Sequence, residues 1–390
     1  MDLTSERREL RDAVRGLLAR QQRRGEGSRP LVWPRLCGEI GAAGLAIPER
    51  YGGAGAGPAE THIVLEELGR ALTPSPLLGS AVLAAQALLA TGDEAACQRR
   101  LPAIADGTAI AALAWTGPAG RWDPGEAACE ARFSPGGWAL TGEAHYVLDG
   151  DVADVLLAAA RTPDGIVLFE VDPHGRGVTR AAVTAMDTTR RLAVVRLAGA
   201  AGQPLGTGRD TGASAALARA RDLACIALSA EQVGAAQRAL ELTVAHTKAR
   251  VQFGRPIGGF QALQHRMADL LVLVESARAL SYAAAQAAAE TAGADTAASD
   301  GGTAHGAAAD GGAAGDAPDL GLRAAAAKAY CSEVLLKTAG EMIQLHGAIG
   351  ITWEHDAHRY LKRAHGAAQL FGPPAGHIAR IAAAMLDGQA

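Results

Sequence analysis

A chain of 390 residues is long enough for two or three domains and a large core. Hydrophobic residues at 49%, charged residues at 20% and a net charge of −4 describe a globular protein, and with no basic run they argue against a nucleic-acid binder. No apolar stretch approaches a membrane-spanning length, the acidic start Met-Asp-Leu-Thr-Ser-Glu is not a signal peptide, and Cys37, Cys97, Cys129, Cys225 and Cys331 form neither a disulfide framework nor a zinc spacing, so a cytoplasmic protein is expected.

Residues 1–110 read as a helical domain. Thr4 can cap a first helix through Val14, Leu17 and Leu18. Pro48 and the glycines of the segment 43–55 build a tight loop, and a second helical pattern follows through Ile63, Val64, Leu65, Leu68 and Leu72. From 111 to 210 the texture changes to short apolar runs separated by turn signals such as Gly136-Gly137 and Asp172-Pro-His-Gly175, which predicts a β domain, a small barrel or sandwich. Helical patterns return over 211–390, interrupted at 291–319 by an Ala/Gly/Asp/Thr-rich insert with no aromatic residue. Disorder is expected there, because such a segment lacks the apolar groups that would order it. The fold class is therefore α+β: an N-terminal helical domain, a central β domain and a C-terminal helical bundle.

Two strings carry more than a connection needs. The corner Arg250-Val-Gln-Phe253-Gly-Arg255-Pro-Ile-Gly-Gly-Phe-Gln261 joins two long helical patterns, yet it offers guanidinium groups that can grip phosphates and an aromatic that can lie on a flat ring. The second string is Gln344-Leu-His-Gly347-Ala-Ile-Gly350-Ile-Thr-Trp-Glu-His355. Its His346, His355, Asp356 and His358 have no standard zinc spacing, and no metal is expected. Both strings, with Pro48-Glu-Arg-Tyr-Gly-Gly-Ala-Gly55, resemble the acyl-CoA dehydrogenase family. That resemblance implies an α–β–α architecture, FAD as cofactor, and an assembly in which Arg250, Phe253, Gln261, Gln344 and Gly347 reach the FAD of a neighbouring subunit. Ala348 replaces the second Gly of a family pair. Trp115 and Thr116, in Ala114-Trp-Thr-Gly-Pro118, resemble the strand end that contacts the flavin, although Gly117, Ala144 and Leu148 depart from the family's residues there.

Desaturating an acyl thioester requires a carboxylate to take the α-proton, donors for the developing enolate charge, and a flavin to accept hydride. The carboxylate is missing. Of the two positions at which the family carries its Glu, one falls on Phe371 and the other on Ala224. Glu231 is the nearest acidic residue C-terminal to Ala224 on the same helix, about two turns away and on a similar face, and is the candidate base. Asp222 points off that face. Glu354 and Asp356 read as salt-bridge partners.

Three functions follow. The chain is one subunit of a heteromeric FAD-dependent acyl-CoA dehydrogenase whose partner supplies the base. Or it is a stand-alone homo-oligomer acting on an acyl-CoA or acyl-carrier-protein thioester with an atypical base. Or it is a non-catalytic or oxygenase-like member. The resemblance implies a homo- or heterotetramer, an acyl thioester substrate and an electron-transfer flavoprotein as acceptor.

Overall fold

A computed structural model describes residues 4–22, 32–206, 212–299 and 319–387. Helix α1 (Ser5–Gln22) starts where expected, with the Thr4 hydroxyl accepting from the Arg7 amide at 3.3 Å. Helices α2 (Val32–Ile40) and α3 (Pro58–Arg70), a π-helical segment at Leu78–Ala84 running into α4 (Ala85–Ala90), and α5 (Glu94–Ala105) complete the first helical layer.

Seven strands follow: β1 (Ala111–Ala114), β2 (Cys129–Ser134), β3 (Gly137–Leu148), β4 (Val155–Thr162), β5 (Gly165–Val171), β6 (Val178–Ala182) and β7 (Leu192–Pro204). The pairings β4–β2–β3–β7–β5 return to β4, so the sheet closes into a barrel, with β1 added to β4 and β6 to β7. Closure leaves a separate interior of small apolar side chains around Leu140, Leu156, Phe169 and Val195.

The C-terminal half comprises α6 (Ala213–Ala249), a hairpin of β8 (Val251–Gln252) and β9 (Arg255–Pro256), α7 (Gln261–Ser299), α8 (Leu320–His346), α9 (Ala357–Gln369) and α10 (Pro374–Asp387). Every residue of α6 from Leu223 to Ala236 is buried, so this helix is the axis on which α3, α4, α7 and α8 pack. A helix apolar on all faces belongs inside. Its packing against α3 is close enough that a Cβ on Gly234 would run into the Glu66 carbonyl. Among the described residues, no helix is long and apolar enough to cross a membrane.

The insert begins later than its composition suggests. Helix α7 continues through residues 291–299, because Ala is the strongest helix former and the turns before it already provide a nucleus. The disorder expected for 300–318 lies outside the described residues.

Candidate cofactor surface and active site

The corner after α6 is a two-residue hairpin turn. Phe253 and Gly254 both have positive φ, 53° and 76°, as a primed turn requires. Glycine takes this conformation freely, whereas a bulky residue is strained there. The turn holds Phe253 93% exposed. Behind it the Arg255 guanidinium stacks 4.1 Å from the Phe260 ring centroid. Arg250 and Gln261 are exposed, and their side chains make no hydrogen bond or ion pair within the described residues.

The end of α8 lies beside this corner. His246 of α6 stacks on His346 of α8 at 4.3 Å, His346 meets His355 at 4.4 Å, and Arg266 pairs with Glu341. His346 Nδ1 bonds the Met342 carbonyl at 2.7 Å, and burial followed by its two histidine neighbours pushes its pKa down to about 4, so this imidazole is neutral at physiological pH. Gln344 and Gly347 are exposed, and Gly347 terminates α8 at φ 65°. Ala348 follows in a short 3-10 turn without positive φ, so the methyl in place of hydrogen brings no backbone strain. Trp353 (83% exposed) and Ile351 (71%) extend the same surface. Arg250, Phe253, Gln261, Gln344 and Gly347 thus come to one end of the bundle, facing away from this chain's own core.

Trp115 and Thr116 do not. Both are buried at the end of β1. Trp115 Nε1 donates to the Glu126 carbonyl at 3.0 Å, and the Thr116 hydroxyl donates to the Arg121 carbonyl at 2.5 Å. Trp122 lies edge-on between Trp115 and Phe371, with centroids 5.5 and 5.0 Å apart. Phe371 is 1% exposed, in a left-handed turn that His377 Nε2 meets at its carbonyl. Ala224 is fully buried. Leu148 packs so tightly on the π-helical segment that a Cβ on Gly79 would stand 2.7 Å from its own.

The N-terminal-domain model of the acyl-CoA dehydrogenase family matches residues 4–108, and its C-terminal-domain model matches 210–301 and 302–386. The chain is 39% identical to acyl-CoA dehydrogenase IpdE2 of Mycobacterium tuberculosis, over 96% of each protein, and 39% identical to IpdE2 of Mycolicibacterium smegmatis, over 92% of this chain and 88% of that one. The chain belongs to the acyl-CoA dehydrogenase family. Among solved structures it is similar to a variant of the Tcur3481-Tcur3483 steroid ACAD (29% identity, 98% of both chains, TM-score 0.77) and to the ChsE4-ChsE5 complex from Mycobacterium tuberculosis (26%, 99% of both, TM-score 0.80).

The family's cofactor is FAD, and membership gives this acyl-CoA dehydrogenase the same one. Its residues fit the group unevenly. The exposed corner offers unpaired donors and a free aromatic face, the chemistry that phosphates and flat rings bind. At the barrel end, the side-chain donors of Trp115 and Thr116 are used within the chain, and Trp122 and Phe371 fill the adjoining space.

The candidate base is also engaged. Glu231 Oε2 pairs with Arg190 and, at 3.1 Å, with Arg363 Nη1. Arg363, 4% exposed, is further held by the Thr189 hydroxyl (2.9 Å) and carbonyl (3.1 Å) and by Asp187 at 3.2 Å. Burial alone would raise Asp187, but Arg363 and Arg190 bring it below the usual carboxylate range. Asp222 pairs with Arg221 and Arg380, and Asp356 with Arg359. Among the described residues no group of metal-ligating side chains gathers around one point.

Two buried groups have no counterpart in the sequence reading. Asp149, in left-handed backbone at φ 53°, is pushed up to about 7, chiefly by burial. Lys328 is fully buried, donates to Ser332 Oγ (3.0 Å) and the Ala368 (3.1 Å) and Gly372 (3.2 Å) carbonyls, and is brought down to about 8 by burial. An Asp-Gly pair after a strand reads as a turn, and a Lys in a helix reads as surface; neither pattern signals burial.

Proposed function

We propose that this chain is the base-less subunit of a heteromeric acyl-CoA dehydrogenase that introduces an α,β double bond into an acyl thioester. The observation that carries this reading is the fate of the two base positions: Phe371 and Ala224 are both packed into the chain's own core. A lost general base typically lowers a rate by about 10²–10⁴. An acyl-CoA dehydrogenase without one therefore needs a carboxylate from elsewhere. The exposed corner supports a division of labour, since Arg250, Phe253, Gln261, Gln344 and Gly347 can hold the FAD of a partner whose barrel provides the flavin bed. The two-chain titles of the similar structures, Tcur3481-Tcur3483 and ChsE4-ChsE5, accord with this.

Bound FAD supplies the acceptor for the β-hydrogen and its electron pair, which no side chain can be. In this reading Arg250, Phe253, Gln261, Gln344 and Gly347 would hold the partner's FAD, the partner's carboxylate would remove the α-proton, and an electron-transfer flavoprotein would serve as acceptor. The test is purification with and without a Glu-bearing homologue. The pair is expected to be yellow and to bleach anaerobically with an acyl-CoA, and the chain alone to be colourless or unreactive. A chain that bleaches alone with stoichiometric flavin would refute the proposal.

A further inference from the structure

Three histidines sit where the ends of α6 and α8 meet the start of α9. His246 is on the last turn of α6, and its carbonyl accepts the Arg250 amide at 2.8 Å, so it anchors the base of the hairpin that carries Phe253. His346 is the last residue of α8, between Gln344 and Gly347. His355 precedes α9, and its Nδ1 accepts from the amide of Ala357, the first residue of that helix, at 3.1 Å. The rings touch in sequence, His246 on His346 at an interplanar angle of 26° and His346 on His355 at 47°. Rings stacked this way do not aim their nitrogens at one point, and no metal-holding group is found among the described residues.

Hydrogen bonding commits two of the rings to the neutral form. A carbonyl can only accept, so His346 Nδ1 carries the proton that bonds Met342, and a second proton would fall on Nε2. That atom is buried with no hydrogen-bond partner, and the residue is 6% exposed. A proton on His355 Nδ1 would end its bond to Ala357. No carboxylate acts on His246 or His346, and Arg250 adds positive charge beside His246. On the neighbouring elements, Glu341 of α8 pairs with Arg266 of α7 and Asp356 pairs with Arg359. His358 and Lys362 of α9 turn to the Trp353 ring, and Lys248 and Glu354 are exposed.

We propose that this stack is a clasp that acid opens. Neutral, it holds the Arg250 hairpin against Gln344 and Gly347. Charged, its rings repel one another and the two parts of the corner separate. His346 is thus a positioning residue for the cofactor surface, acting through Arg250, Phe253 and Gln344. The clasp belongs to this chain alone, whereas its consequence for FAD rests on the heteromeric reading.

The direction follows from burial. It lowers His346 to about 4, and it lowers His246 from the ordinary 6.5, with the neighbouring histidines adding to both. The closed stack therefore binds fewer protons than the opened one. Its stability is complete above pH 6.5 and is lost as pH falls towards 4. For His346 alone, opening becomes up to about 30-fold more favourable between pH 7.5 and pH 5.

Hydrogen–deuterium exchange of the isolated chain at pH 7.5 and pH 5, corrected for the intrinsic rate, tests this. Protection of 246–261 and 344–357 is expected to fall by up to about 30-fold at pH 5, with that of α6 over 223–236 unchanged. His346→Phe keeps a ring in the stack but takes no proton, and is expected to remove most of the fall. Equal wild-type protection at both pH values overturns the proposal, and so does a His346→Phe variant that retains the full fall. If His346→Phe does not fold, His246→Phe replaces it with the same expectation. Paired with a Glu-bearing homologue, the wild type is expected to lose FAD faster at pH 5 than at pH 7.5, and the His346→Phe pair to lose it equally at both. FAD retention that ignores pH, beside an exchange profile that follows it, overturns the role in cofactor holding. A chain that forms no pair refutes the heteromeric reading, and the exchange profile then decides the clasp alone.

Discussion

Replacing Glu231 by Gln separates its two roles. As a base, Glu231 would leave stability intact and remove turnover. As a structural anion, it would do the reverse. Its Oε2 receives two guanidiniums whose side chains are 9% and 5% exposed. Neutralising it leaves Asp187 alone to compensate Arg190 and Arg363. Removing one partner of such a buried ion pair costs about 3–5 kcal/mol. At roughly 2.1 cal/mol/K per residue, the unfolding entropy of a 390-residue chain is about 0.8 kcal/mol/K, so Tm should fall by about 4–6 °C. Differential scanning calorimetry of the chain alone and bound to its partner measures the shift, and turnover of the paired enzyme below the new Tm should stay within a few-fold of wild type. A variant with wild-type Tm and a rate reduced by about 10² or more would refute this reasoning and make Glu231 the base.

The exposed corner predicts the opposite pattern. Phe253→Ala and Arg250→Met should leave the isolated chain within about 0.5 kcal/mol of wild type, as surface changes do, yet lower the flavin content of the paired enzyme, read by absorbance after gel filtration. Phe371→Glu should not create a base, because the position packs against Trp122 in the core, and a chemical denaturation curve should show a loss of about 3–5 kcal/mol. Lys328→Met addresses pH. The folded-state pKa of Lys328, about 8, lies below its ordinary 10.5, so the folded form binds fewer protons between these values and its contribution to stability rises with pH, by at most about 3 kcal/mol. The cysteines, all raised chiefly by burial, push stability the other way above pH 9, so the quantity to measure is the wild-type minus Lys328→Met difference from pH 7 to 10. A difference that does not grow in favour of wild type refutes the assignment.

What could be read from sequence was what is written locally. Thr4 three residues before the Arg7 amide, the turn signals between β strands and the Phe253-Gly254 corner each declare a backbone conformation within a few residues. The site depended on distant pairs. Glu231 is carried by α6, but its partners are 41 and 132 residues away, and no spacing announces them. Lys328 is buried because carbonyls 40 and 44 residues later receive it. Trp115 and Thr116 lie just past the end of β1, yet their orientation is set by the Glu126 and Arg121 carbonyls of the following loop, and Trp115 also meets Trp122, whose other side meets Phe371 from the far end of the chain. The insert shows the same limit in reverse: composition alone cannot see that α7 arrives at residue 291 already formed and carries the Ala-rich run onward to Ser299.

The two halves of the cofactor chemistry therefore stand in different energetic positions within this chain. Trp122 and Phe371 stabilise the fold where they are, because burying large aromatics against each other removes apolar area from water at about 25 cal/mol per Å². Once such residues occupy a bed, folding itself retains them. Phe253 has no comparable hold. It is 93% exposed, and the left-handed backbone of its turn is strained for a side chain of that size. Within the described residues the ring meets only Phe260, edge-on at 6.1 Å, and is otherwise uncovered. On the proposed reading the compensation comes at assembly, when the ring and the free guanidinium of Arg250 meet the partner's FAD. Phe253→Gly should then relieve the turn and raise the stability of the isolated chain while weakening flavin retention in the pair. Phe253→Tyr, which keeps the ring, should restore retention without the gain in stability.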